Sequence, residues 1–209
     1  MTTTTLNKTA AIALLAHTQQ ASGAITVGSP VDVSTRIGPA TALVKMGRTI
    51  ATALTNNLKF RLEGSAKSSG NDEWVPIYEW TSTNGLTAAS KTTLNDATCN
   101  AADTTFTLTS GTGFTAGDLV YLRETGTPGN SEWVRAKSIA TNDLTVEDGI
   151  TRAHTNGIDV TDLAEMWQIP FDAAGQYRVR LVVDGASAAA GQTVDVIAWL
   201  VTADSANTV

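Results

Sequence analysis

Apolar and polar side chains alternate along most of this chain, the period of two that lets one face of a β-strand pack inward while the other meets water. Leu58, Phe60 and Leu62 interleave with Lys59, Arg61 and Glu63, and Tyr177, Val179, Leu181 and Val183 interleave with Gln176, Arg178 and Arg180 before an Asp184-Gly185 turn signal. The stretch Thr193 to Thr202 differs. It carries Val194, Val196, Ala198 and Leu200 on one side and Ile197, Trp199 and Val201 on the other, the pattern of a central strand covered on both faces or of a strand in a subunit contact.

The same reading predicts strands near Ile25 to Val33, Ala42 to Leu54, Asn57 to Glu63, Glu73 to Trp80, Glu165 to Phe171 and Gln176 to Val183. Between them the character changes. Thr87 to Asp103 holds almost no large apolar residue, and five short strands then follow, Thr104 to Thr109, Asp118 to Glu124, Glu132 to Ile139, Asp143 to Val146 and Gly157 to Thr161. Gly111-Thr112-Gly113, Gly117-Asp118, Thr127-Pro128-Gly129 and Asp148-Gly149 punctuate them with residues suited to tight turns. The expected fold is all-β: a discontinuous β-sandwich over 24–84 and 160–209, interrupted by a smaller barrel-like β-domain over 85–159. An insertion between neighbouring strand ends costs little loop entropy.

Residues 1–23 form an expected N-terminal arm. Leu6, Ala10, Ala13, Leu14 and His17 recur at helical spacing, so a short helix is predicted within it, with Leu6 and Leu14 as partner-binding positions. Lys8 followed by the apolar run to Ala16 has the order of a secretory leader, but the run is short and Ala21 to Ala24 makes a poor cleavage site. No stretch approaches the roughly 18 apolar residues of a membrane span.

Composition narrows the function more than it defines it. Of 209 residues, 14 are Lys or Arg against 20 Asp or Glu, a net charge of -6 that argues against nucleic acid and anionic membranes as partners. Thr accounts for 34 residues and Ala for 30, and charged residues for 16%, which suits a folded neutral-polar surface. The lone Cys99 rules out an internal disulfide, and His17 and His154 lie far apart with no carboxylate pattern around them. Asp143, Glu147 and Asp148 cluster at one turn without calcium-loop spacing, and Gly111 to Gly117 misses the dinucleotide fingerprint by one position. No catalytic residue, metal site or cofactor is expected.

Five tryptophans are the largest apolar groups: Trp74, Trp80, Trp133, Trp167 and Trp199. Their placement on predicted strands favours core or interface anchors. Trp74, beside Asn71 to Glu73, is the ring best placed to line a loop rim and stack on a sugar, and Trp199 is the second candidate contact.

The middle segment resembles small β-domains of tailed-bacteriophage virion proteins. The resemblance is carried by Phe106-Thr107-Leu108, by Phe114-Thr115-Ala116-Gly117-Asp118-Leu119-Val120 with its F-x-x-G-D-x-V pattern, by Glu132-Trp133-Val134 and Leu144-Thr145-Val146, and by His154 before Asn156-Gly157. The block Asn71 to Pro76 is similar to sandwiches of capsid-decorating and tail-associated proteins. The resemblance implies a non-enzymatic part of a virion that is made in the host cytoplasm. It points to a decoration protein on the capsid surface that binds the major capsid protein, often as a homotrimer, with Gly117 and Asp118 forming a turn and Glu132 and His154 tying loops. A neck, tail or baseplate component is the alternative within the virion, and a carbohydrate-binding module the alternative outside it.

Overall fold

The computed structural model describes residues 4–5, 10–21, 23–36, 38–70, 73–185, 194–202 and 207–208. Among the described residues seventeen strands follow in chain order: β1 Thr4–Thr5, β2 Ile12–Gln20, β3 Ile25–Val27, β4 Val31–Asp32, β5 Pro39–Arg48, β6 Lys59–Ser65, β7 Val75–Thr81, β8 Lys91–Thr93, β9 Thr105–Thr107, β10 Leu119–Arg123, β11 Glu132–Ala140, β12 Asp143–Val146, β13 Asp159–Thr161, β14 Glu165–Asp172, β15 Arg178–Asp184, β16 Val194–Thr202 and β17 Asn207–Thr208. One 3₁₀ turn, Pro128–Asn130, is the only helical element among the described residues, and no helix is long and apolar enough to cross a membrane. The chain is an all-β sandwich with a barrel-like part.

Two antiparallel sheets form the sandwich, one ordered β14-β5-β16-β2 and the other β3-β15-β6-β7 with β4 also pairing β15. Inward-facing residues alternate with outward ones on each strand, so Phe60 and Leu62 of β6, Val44 and Met46 of β5, Val179 and Leu181 of β15 and Ala198 and Leu200 of β16 share one core. Three rings close the sandwich where β7 and β14 face each other. Phe60 stacks on Trp80 at 5.2 Å and meets Trp167 at 4.9 Å, and the two indoles lie 6.0 Å apart. Pro76 on β7 and Pro170 on β14 sit on strands that each pair only one neighbour, where a missing N–H disrupts no ladder.

The inserted unit is a six-stranded sheet, β8-β13-β10-β11-β12-β9, around a second core of Leu94, Phe106, Leu108, Leu122, Leu144 and Val160 with others. Its outer strands meet. Leu94 bridges Leu108, Asn95 N–H donates to the Thr107 carbonyl at 2.8 Å and Thr109 N–H to the Thr93 carbonyl at 2.8 Å, so the sheet curls until its ends join. Gly117, with φ of 93°, makes the tight turn before β10, and Asp118 secures it by accepting from the Thr115 N–H at 2.6 Å.

Some expectations need correction. Residues 12–20 are neither an arm nor a helix: β2 pairs with β16, and opposite Val196/Ala198 and Ala198/Trp199 β2 carries an extra residue each time, which breaks the two-residue alternation. Those bulges turn consecutive Leu14 and Leu15 into the same core, where Leu14 is 1% exposed, so Leu14 is a packing residue and not a partner contact. The polar stretch 87–103, expected within the inserted unit, contributes β8 and the buried Leu94 and Cys99 to it. That unit also keeps Val160 and Thr161 of β13, which the sequence places in the sandwich.

Candidate functional site

Two connections join the units, and buried polar groups fix both. The entering segment passes Thr83 and Asn84, whose N–H groups donate to the Glu165 carboxylate at 2.8–3.0 Å, joined by the Thr83 hydroxyl at 2.9 Å. Glu165 sits on β14, where the chain re-enters the sandwich, so one carboxylate ties both crossings. Arg48, fully buried at the end of β5, donates to the carbonyls of Asn84 at 3.1 Å, Thr87 at 3.0 Å and Thr52 at 2.6 Å. Asp162 accepts from Ser90 N–H at 2.7 Å, and the Thr161 hydroxyl donates to the Arg48 carbonyl at 2.8 Å. Buried groups of this kind persist only when paired.

A second contact lies between β10–β11 of the barrel and the outer face of β16, β5 and β2. Asp195, 2% exposed, accepts from the Tyr121 hydroxyl at 2.7 Å and from Arg123 Nε at 2.8 Å. The His17 ring shares a 2.9 Å hydrogen bond with the same hydroxyl, and Trp133 stacks on Tyr121 at 4.6 Å while donating its indole N–H to the Met46 carbonyl at 3.0 Å. Burial pushes the Tyr121 phenol far above its ordinary range, and Asp195 adds to that. Burial also lowers the His17 pKa, outweighing Asp195, with Arg123 pulling in the same direction as burial. Gly47 makes the approach close enough: a Cβ there would enter the Tyr121 ring.

Beside this contact runs a groove of about 250 Å³ between the sheet and the 3₁₀ turn. The Lys45 ammonium stands between two indoles, 5.6 Å from the ring centres of both Trp133 and Trp199. Burial lowers the Lys45 pKa, with Glu132 opposing. Glu132 itself is occupied by the loop after β12, accepting from Thr151 N–H at 2.8 Å and Arg152 N–H at 2.6 Å.

His154 lies in the barrel between two carboxylates, Nδ1 3.2 Å from Glu124 and Nε2 3.3 Å from Glu132. Burial alone would lower its pKa, but the Glu132 and Glu124 carboxylates beside the ring prevail and raise it. The trio links the loop after β10, the start of β11 and the 151–155 loop, so Glu132 and His154 tie loops together. Among the described residues no group of His, Cys, Asp and Glu is arranged to hold a metal ion. Burial pushes the Cys99 thiol up to about 11, leaving it protonated and unreactive at neutral pH.

The four residues singled out as contacts end in different places. Leu6 lies outside the described residues. Leu14 is in the sandwich core. Trp74, just before β7, lies over the guanidinium groups of Arg180 at 4.1 Å and Arg178 at 4.9 Å, and Arg180 in turn binds Glu63 at 2.7–2.8 Å. Trp199 projects from the outer face of β16 into the groove, half-buried. Sequence reasoning missed Arg48, Lys45, Tyr121, Glu165 and Asp195. Asp195 carried a signal: a charge inside the apolar run of β16 has to find a buried partner.

No family model matches the chain, and no curated protein does. Among solved structures, that of the infectious bursal disease virus Gx strain aligns over 98% of this chain at 11% identity, with a TM-score of 0.27. This chain spans 41% of that chain's length.

Proposed function

We propose that this chain is a non-enzymatic structural component of a virion, a decoration protein that binds the major capsid lattice as a homo-oligomer, with a trimer favoured. The observation that supports this most is the use made of the buried titratable groups. Asp195, Tyr121, Arg123 and His17 fix barrel to sandwich, Glu165, Asp162 and Arg48 fix the crossings, and Glu124, Glu132 and His154 fix barrel loops. None of these groups is left facing an open cleft with an activated nucleophile, which is the arrangement catalysis asks for.

What remains outside suits attachment. The five-stranded sheet carries exposed apolar residues on both of its outer strands, Ile25 and Val27 on β3 and Val75 and Tyr78 on β7. Edges of that kind pair with or pack on neighbours unless something covers them. A rigid two-unit body with apolar sheet margins fits a part that lies on a shell and touches further copies.

The test is add-back. Purified protein mixed with shells lacking it is expected to co-sediment in saturable amounts and to raise their resistance to heat. Saturation at a few copies per particle favours a neck or tail station instead, and absence of binding to any particle form sinks the reading.

A further inference from the structure

The geometry points to a binding site for a single carboxylate-bearing sugar ring in the groove between Lys45, Trp133 and Trp199. Lys45 Nζ lies in the groove against two π-faces, and no hydrogen-bond acceptor among the described residues meets it. Burial has already partly desolvated that ammonium, which carries three N–H donors. Arg152 lines the same groove with a second positive charge, one of its guanidinium nitrogens donating to the Asn130 side-chain carbonyl at 2.6 Å. The one carboxylate there, Glu132, has both oxygens engaged by backbone N–H groups of Thr151 and Arg152. Lys45 and Arg152 against the single Glu132 carboxylate leave the lining with a positive balance within a chain of net charge -6, which suits an anionic oxygen.

The other walls choose the rest of the ligand. Trp199 offers a half-buried indole, Trp133 is held rigid by its N–H bond to the Met46 carbonyl and its stack on Tyr121, and the Ser131 hydroxyl at the rim accepts from the Glu124 N–H at 3.0 Å. Indole faces pack on the C–H side of a pyranose while small polar groups meet its hydroxyls. A volume of about 250 Å³ falls below the ~300–1,000 Å³ of pockets that enclose a drug-sized ligand, so one ring enters and any further saccharide lies outside. The site is separate from the shell contact proposed above and can be assayed on the isolated protein, so either reading can fail alone.

Titration of the isotope-labelled chain with methyl glucuronide and with the methyl glycoside of N-acetylneuraminic acid tests it, with methyl glucoside and sodium acetate as controls. At least one acidic sugar is expected to shift the indole N–H resonances of Trp133 and Trp199 saturably, with Kd of about 1–10 mM for so small a ligand. Methyl glucoside and acetate are each expected to bind at least tenfold more weakly, the first for want of charge and the second for want of a ring. Lys45→Met, which keeps the alkyl stem, and Arg152→Gln are each expected to weaken binding fivefold or more without changing the melting temperature. Binding of the neutral sugar as tightly as the acids, binding of acetate as tightly as the acids, indifference to both substitutions, or no saturable shift with either acid overturns the assignment. If Lys45→Met alters folding, Arg152→Gln and the loss of affinity at raised salt carry the decision.

Discussion

The Tyr121 hydroxyl donates to Asp195 Oδ2 at 2.7 Å across the boundary between barrel and sandwich, joining residues 74 positions apart in sequence. Arg123 and His17 complete the same knot. Tyr121→Phe removes one donor and leaves Asp195 bound to Arg123, so a loss of about 1–2 kcal/mol is expected. Asp195→Asn removes the charge facing a half-shielded guanidinium and is expected to cost more, about 2–4 kcal/mol. Urea unfolding of the two variants checks the order, and equal midpoints for both and the parent would show that the knot contributes nothing.

Gly47→Ala adds one methyl group at the point where β5 meets the Tyr121 ring. Overpacking of this kind costs about 1–3 kcal/mol. Because the clash falls between the units, faster amide exchange is expected along β10 and β11, with β6 and β15 in the sandwich unchanged. Unaltered exchange in the barrel would mean that the ring turns aside without loosening the contact.

Arg48→Met keeps the length of the side chain but strands the carbonyls of Asn84, Thr87 and Thr52. A loss of about 3 kcal/mol or more is expected, since each carbonyl surrenders a charge-assisted bond in a dry site. Limited proteolysis offers a local readout: the 84–90 crossing is expected to resist cleavage in the parent and to become the first cut in the variant. Resistance equal to the parent's contradicts the role given to Arg48.

The two histidines work against each other with pH. His154 has a folded pKa raised above 6.5, so its contribution is fully present below about 6.5 and is lost as pH rises through the folded value. His17 has a folded pKa below 6.5, so its contribution holds above about 6.5 and is lost as pH falls through the folded value. Melting curves between pH 5 and 8 are expected to show His154→Gln losing more stability at the acid end and His17→Gln losing less there than at the alkaline end. The same pH profile for both variants would contradict the opposed shifts.

Much of this architecture is written in the alternation of side chains. β6, β15 and β12 emerge within two residues of where they are predicted because Phe60, Leu181 and Leu144 each face a core while Lys59, Arg180 and Asp143 before them turn away from it. β2 was hidden by bulges that bring Leu14 and Leu15 to the same side, and β8 by its brevity and by threonines that suit a strand as well as a linker. The contact between the units was not legible, because Glu165 meets Thr83 from 82 residues away and Asp195 meets Arg123 from 72, and no local pattern encodes such pairs. Trp199 was legible as a residue with two candidate faces. Its neighbours Lys45 and Trp133, which lie on strands far apart in sequence, decide what that face looks at.

Image reconstruction of particles of the kind proposed to carry this chain tests the proposed structural reading most directly. The expected result is density of two joined β units repeated over the capsid faces, lost from particles assembled without the gene. Particles that never contain the protein, or a catalysed turnover that survives when the protein is kept from them, would contradict it.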